Sequence, residues 1–265
     1  MSVSRLDRMF SAAGEENRTV VSIYLTVGFP SLDASLELAR AALAGGAEFL
    51  EIGVPFSDPL ADGPTIQASS HKALEGGVTL QHALELCRIL RTESDAGLLL
   101  MGYANPFLAQ GWSRLAADAQ AVGIDGIIVP DLPPEEAGDA IEALAASGLA
   151  FIHMLAPTSD TFRLDLVARQ AAGFIYCVSL TGTTGARTDI DADLQPFLER
   201  VRARTDVPLV VGFGISTGGH VARLRGLADG VIVGSAFVQL AEISDVNRRL
   251  LAAEGFVRGL VTSSR

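Results

Sequence analysis

A carboxylate stands at position 51 in a place where a carboxylate is costly. Residues 48–53 form an apolar, β-rich run, and Glu51 lies inside it near its C-terminal end. Taking an ionised carboxylate out of water is unfavourable unless it is paired, hydrogen-bonded or protonated. Partial desolvation raises its pKa toward neutrality, which suits a general acid or base. The competing reading is a structural ion pair, since perturbed carboxylates also occur in structural networks. Asp62 follows in a loop that carries Pro55, Pro59 and Pro64. Those prolines restrict the backbone, so Asp62 is expected to be held in place rather than to wave in solvent. Its plainer reading is the Asp of an Asp-Gly turn. Asp58, in the same loop, suits a surface or partner contact better than a catalyst.

Two glycine-bearing turns supply a second kind of chemistry. The apolar run 207–212 leads into Gly212-Phe213-Gly214-Ile215-Ser216, and the run 229–233 leads into Gly234-Ser235-Ala236. Glycines let backbone N–H groups approach an anion closely, and a short helix starting near Gly234 would aim its positive end at the same spot. The turns therefore predict a phosphate site; otherwise they are only tight strand-to-helix turns. A third segment, 174–190, is rich in small residues and glycine. It predicts a mobile lid that excludes water, the alternative being an ordinary long loop. Within it, Thr184 is placed to hydrogen-bond a carboxylate across the site and Gly185 to add an N–H to the phosphate.

Residue counts narrow the reaction. Lys72 is the only lysine, and it lies past the loop on a predicted helix from about Thr65 to Leu74. Schiff-base chemistry needs a lysine at the centre, and Lys72 is poorly placed for it. His71, His82 and His220 fall on helical segments, while His153 alone falls in a strand, where a packed core role is expected. Neither Cys87 nor Cys177 has a zinc-type companion, so no metal site is predicted. What remains is acid–base work on a substrate that carries its own electron sink.

These groups need elements to hold them. Eight β-rich runs are read at 19–27, 48–53, 97–103, 125–130, 149–155, 174–180, 207–212 and 229–233. Segments of helical apolar spacing lie between them. Leu32, Leu36, Ala39 and Leu43 share one face before Gly45-Gly46, and Pro134 opens a helix with Ala137, Ile141 and Leu144 inward, ending at Gly148. Strand–helix alternation implies parallel strands with helical crossovers. An open doubly wound sheet competes, but the turn Val27-Gly28-Phe29-Pro30 lacks the dinucleotide glycine pattern. The expected architecture is a (β/α)8 TIM barrel, whose chemistry sits at the C-terminal strand ends and whose phosphate site follows strands seven and eight. Residues 2–14 are expected to form an extra N-terminal helix plugging the bottom, with Leu6, Met9 and Phe10 inward. Residues 244–262 are expected to close the fold, with Val246, Leu250, Leu251 and Val257 inward and the tail from Thr262 fraying.

At 265 residues, with 49% hydrophobic residues and no linker or composition break, residues 1–265 are expected to form one domain. A net charge of −11 without a basic cluster argues against nucleic acid. Two cysteines, no signal-type leader and no long apolar run predict a soluble cytoplasmic protein without a membrane segment.

The segment from Leu50 to Gln67 (LEIGVPFSDPLADGPTIQ) closely resembles the tryptophan synthase alpha chain family. Tyr103-Ala104-Asn105-Pro106, Pro130-Asp131-Leu132-Pro133 and Thr184-Gly185-Ala186-Arg187 support the resemblance, which runs from Tyr24 to Ala236. It implies retro-aldol cleavage of indole-3-glycerol phosphate to indole and glyceraldehyde 3-phosphate, with no cofactor on this chain. Glu51 would shuttle protons between the side-chain hydroxyl and the indole ring carbon. Asp62 would bind the indole N–H and stabilise the indolenine-like intermediate, Thr184 would steady Asp62, and Tyr176 would lie beside Glu51. Gly185, Gly214, Gly234 and Ser235 would hold phosphate. Tyr24, Met101, Ile128 and Met154 would line the indole pocket, or else serve as ordinary barrel core. The resemblance also implies a pyridoxal-phosphate beta subunit as partner in an alpha2beta2 heterotetramer, with Asp58 and Asn105 near the interface. A free-standing indole-3-glycerol phosphate lyase and a non-catalytic barrel that only activates the beta subunit are the alternatives. Phe29, Lys72 and Thr183 stand where Asp, Arg and Val are common in the family.

Overall fold

A computed structural model describes residues 4–178, 193–212 and 214–265. Eight parallel strands close on themselves in chain order. They are β1 (Val20–Thr26), β2 (Phe49–Gly53), β3 (Gly97–Met101), β4 (Gly126–Ile128), β5 (Ala150–Leu155), β6 (Ile175–Val178), β7 (Leu209–Gly212) and β8 (Gly230–Val233). The barrel expectation holds, with strands one to three residues shorter than the apolar runs that foretold them. The helices among the described residues are α1 (Arg5–Glu15), α2 (Leu32–Ala44), α3 (Pro64–Glu75), α4 (Leu80–Glu93), α5 (Ala104–Gln110), α6 (Trp112–Ala121), α7 (Gly138–Ala146), α8 (Thr161–Gln170), α9 (Leu194–Arg202), α10 (Gly218–Leu224), α11 (Ser235–Leu240) and α12 (Val246–Ser263).

Side chains alternate across a strand, and residues in register share a face. Tyr24, Glu51 and Leu99 are in register across β1, β2 and β3, and one step up the barrel Gly53, Met101, Ile128 and Ile152 follow one another. Met154, Tyr176 and Val210 continue the inner surface on β5, β6 and β7. The alternation puts His153 on the outer face of β5. It is buried against Phe151, with ring centroids 5.0 Å apart, and burial pushes its pKa down to about 4. It is therefore a neutral packed histidine, as expected.

The bottom of the barrel is closed by α1. Ser4 caps it through a reciprocal capping box with Asp7, and Leu6, Phe10 and Ala13 form its buried stripe. The ring of Phe10 packs edge-on to Phe174 at 5.9 Å, and Phe174 lies 5.5 Å from Phe49. Gly97 makes room there: a Cβ on it would stand 2.6 Å from Phe49 Cβ and 3.2 Å from Leu6 Cδ2. Arg5 pins the helix to Asp95 and Asp125.

Two helix faces differ from expectation. On α2 the buried set is Ala34, Ser35, Leu38, Ala39, Ala41 and Ala42, while Leu32 is exposed and Leu36 and Leu43 are half-buried. On α12 the buried set is Arg249, Ala253, Val257 and Leu260; Val246 and Leu251 face solvent. These helices pack on each other so closely that a Cβ at Gly45 would lie 2.7 Å from Val257 Cβ. Close approach selects small residues, so the largest apolar side chains do not mark the inner face. The tail does not fray: α12 runs to Ser263, Ser264 is buried, and its carbonyl accepts from Thr19 N–H at 3.0 Å. Pro134 opens a single 3-10 turn, Pro134–Glu136, rather than α7 itself. Phe29 and Lys72, two of the family departures, meet each other, with Lys72 Nζ 6.0 Å from the Phe29 ring centre.

If α1 seals the barrel, Phe10→Ala will destabilise the protein by about 3–5 kcal/mol in urea unfolding; an unchanged midpoint would show that the helix is dispensable to the core.

Candidate active site

Glu51 sits two residues before the end of β2, on the inner wall between Tyr24 and Leu99. It is 1% exposed, and among the described residues no donor reaches its Oε1. Burial, and then the negative charge of Asp62, push its pKa up to about 8. Among the described residues no cation shifts it and no salt bridge reaches it.

Asp62 is held at the rim by the loop between β2 and α3. Its N–H donates to Pro59 O at 3.0 Å, and its carbonyl accepts from Gln67 Nε2 at 2.9 Å. Ser70 Oγ clasps the start of the loop, accepting from Phe56 N–H at 2.8 Å and donating to Phe56 O at 3.1 Å. The side chain is buried, so Asp62 is not a solvated turn residue. Burial raises its pKa to about 6, while a hydrogen bond from the Tyr103 hydroxyl, 3.0 Å from Oδ2, pulls the other way.

Two phenols share this space. A Cβ at Gly53 would collide with the Tyr24 hydroxyl, and one at Gly212 with the Tyr176 hydroxyl. These inward glycines clear the room that the rings fill. Burial first, and then the two carboxylates, hold both phenols protonated, far above their usual pKa. The Tyr24 hydroxyl lies 3.3 Å from Thr26 Oγ1, which bonds Ser69 Oγ at 2.7 Å. Met101, Ile128 and Met154 stand on the inner wall near the same level, Ile128 buried completely and Met154 partly.

The glycine turns lie at the same end. Gly214 has φ +76°, a left-handed conformation that favours glycine. Gly234 precedes α11, whose first turn has no side-chain cap, and its Cα faces Tyr24. Leading N–H groups of an uncapped turn are natural anion donors. Ser235 is exposed there. Of the segment 174–190 expected as a lid, Phe174 is buried core and Ile175–Val178 form β6, because their side chains pack into the barrel; residues 179–190, with Thr183, Thr184 and Gly185, lie outside the described residues. Asp58, on the loop after β2, and Asn105, in the first turn of α5, are exposed and do not join the carboxylate pair. Among the described residues no three His, Cys, Asp or Glu side chains cluster as metal ligands.

Tyr103 carried no role in the sequence reading, although it stands in one of the matched motifs. Its position just past the end of β3 was the available signal.

A family model described as tryptophan synthase alpha chain matches residues 10–259. The tryptophan synthase alpha chain of Roseiflexus sp. (strain RS-1) is 48% identical over 259 residues, covering 97% of this chain and 99% of that protein. The chain belongs to the tryptophan synthase alpha chain family. The alpha chain of Solibacter usitatus is 45% identical, with 97% of each chain covered. Among solved structures, the alpha subunit from Legionella pneumophila str. Paris superposes with a TM-score of 0.91 at 31% identity, over 99% of this chain and 98% of that one. An open form of tryptophan synthase from M. tuberculosis gives 0.90 at 32% identity, with 99% of both chains covered. Membership makes this chain a carbon–carbon lyase of tryptophan biosynthesis, acting on indole-3-glycerol phosphate.

Glu51 has a stability consequence. A carboxyl whose folded pKa is raised costs nothing below its unfolded value, where both states are protonated. Stability then falls as pH rises from 4.5 through about 8. Glu51→Gln is therefore expected to melt higher than the native protein, the gap growing from about pH 5 to about pH 9 toward roughly 2–5 kcal/mol. A gap independent of pH would show that the native carboxyl is not desolvated.

Proposed function

We propose that Glu51 and Asp62 carry the cleavage as an acid and an anion, and that the split between their pKa values supports this most directly. Near neutral pH, with values of about 8 and about 6, the pair holds one proton, on Glu51. The two titrate as a coupled pair. Glu51 gives its proton to the indole ring carbon that bears the glycerol chain. The resulting cation is delocalised onto the ring N–H, which Asp62 binds and stabilises electrostatically. Glu51, now a carboxylate, takes the proton of the chain hydroxyl. The bond between ring carbon and chain carbon breaks, its electrons return to the ring, and the chain leaves as glyceraldehyde 3-phosphate. The proton lent to the ring carbon stays in indole, and Glu51 ends protonated, ready for another turnover.

The remaining assignments belong to the same proposal. Gly185, Gly214, Gly234 and Ser235 hold the phosphate, and Thr184 steadies Asp62. Tyr176 packs near the glycerol chain, and Tyr24, Met101, Ile128 and Met154 line the indole pocket. The partner is a pyridoxal-phosphate beta subunit in an alpha2beta2 assembly in the cytoplasm, and residues 1–265 act as one barrel domain. Asp58 and Asn105 sit in its docking surface. Leu60, 90% exposed on the loop after β2, and Leu108, 53% exposed on α5, favour a partner over open solvent. No described helix is long and apolar enough to cross a membrane.

Indole release from indole-3-glycerol phosphate tests the reading, with and without a tryptophan synthase beta subunit. Slow release that rises sharply with the beta subunit is expected. Rapid release indifferent to it would indicate a free-standing lyase, and none in either condition would leave only an activating role. Glu51→Gln should lose about 10²–10⁴-fold in rate; near-native turnover would remove Glu51 as the shuttle.

A further inference from the structure

The loop tip carrying Asp62 is tied to the barrel wall by one phenol. Tyr103 lies just past β3 as the cap residue of α5 and is 4% exposed. Its oxygen accepts from Ala61 N–H at 3.0 Å, and its O–H donates to Asp62 Oδ2 at 3.0 Å. A phenol has one proton to give. With the Ala61 N–H directed at its lone pair, that proton is aimed at Asp62. The ring is fixed by stacking on Phe56, 5.1 Å between centroids at 25°, and Phe56 lies on the same loop. The next residue is fixed as well, since Ala104 N–H donates to Asp131 Oδ1 at 2.8 Å.

We propose that Tyr103 is a positioning residue that occupies Asp62 Oδ2, leaves Oδ1 for the substrate N–H, and favours the ionised carboxylate that the reaction needs. The inference rests on the role given to Asp62 above. The other described charged or titratable groups around Asp62 work against ionisation or are neutral. Glu51 on β2 couples to it with like sign, and the phenols of Tyr24 on β1 and Tyr176 on β6 stay protonated. Asp131 acts on Tyr103 and likewise raises the phenol's pKa. Among the described groups, Tyr103 is the one that lowers the pKa of Asp62.

Tyr103→Phe keeps the ring and its stack and removes the O–H. The pH profile of kcat/KM, measured in the complex with the beta subunit, is the readout. The acid limb, where Asp62 gains its proton, is expected to move up by about one pH unit, and kcat at neutral pH to fall about tenfold. Binding of glycerol 3-phosphate, which has no indole, should be unchanged. In an Asp62→Asn background Tyr103→Phe should move no limb. Should Tyr103→Phe fail to fold, 3-fluorotyrosine at position 103, a stronger donor of nearly the same shape, should move the limb down. A native limb in Tyr103→Phe while Asp62→Asn is impaired overturns the proposal, as does the same shift in both backgrounds. Native activity in Asp62→Asn overturns the role of Asp62 itself.

Discussion

Desolvation of one carboxyl group governs the rest of this site. Glu51 is an inward residue of a barrel strand, flanked in register by Tyr24 and Leu99, and among the described residues no cation compensates it. In a medium of low polarity the charged form is penalised, so the proton stays on at neutral pH. Other features of the barrel maintain that condition. Two glycines, Gly53 and Gly212, let the phenols of Tyr24 and Tyr176 fill the inner space, and α1 closes the far end with the Phe10, Phe49 and Phe174 rings.

Asp62 shows how one loop gives a second buried carboxyl a smaller upward shift than Glu51 has. Both acids are buried and both pKa values are raised, but Asp62 sits at the rim and receives a hydrogen bond. Environments that push paired pKa values apart assign acid and anion roles. The donor comes from the β3 end, the carboxylate from the loop after β2, and Gln67 and Ser70 of α3 hold that loop from the other side. Precision at the rim therefore comes jointly from the loop after β2, from α3 and from the end of β3.

Much of this was legible in the sequence. A glutamate in an apolar strand reveals its own cost, and prolines around Asp62 reveal a restrained loop, so both positions could be singled out without a structure. The eight apolar runs were enough for the barrel, because period and count survive errors at strand ends. The inner faces of α2 and α12 were only partly legible, since close helix contact favours Ala, Ser and Gly over the Leu and Val that a pattern search follows. Tyr103 was missed for a different reason. Its hydrogen bond spans three elements of chain, and no local spacing encodes it. Gly53 read as a strand residue and Gly212 as the start of a turn, and the rings of Tyr24 and Tyr176 explain them.

The most direct measurement is the proton count of the carboxylate pair, followed by carbon-13 NMR of labelled Glu51 and Asp62 carboxyls through a pH titration of the intact protein. One proton near neutral pH, residing on Glu51 and lost only around pH 8, is the predicted result. Two fully ionised carboxylates at that pH would contradict the account, because Glu51 would then have no proton to give the ring.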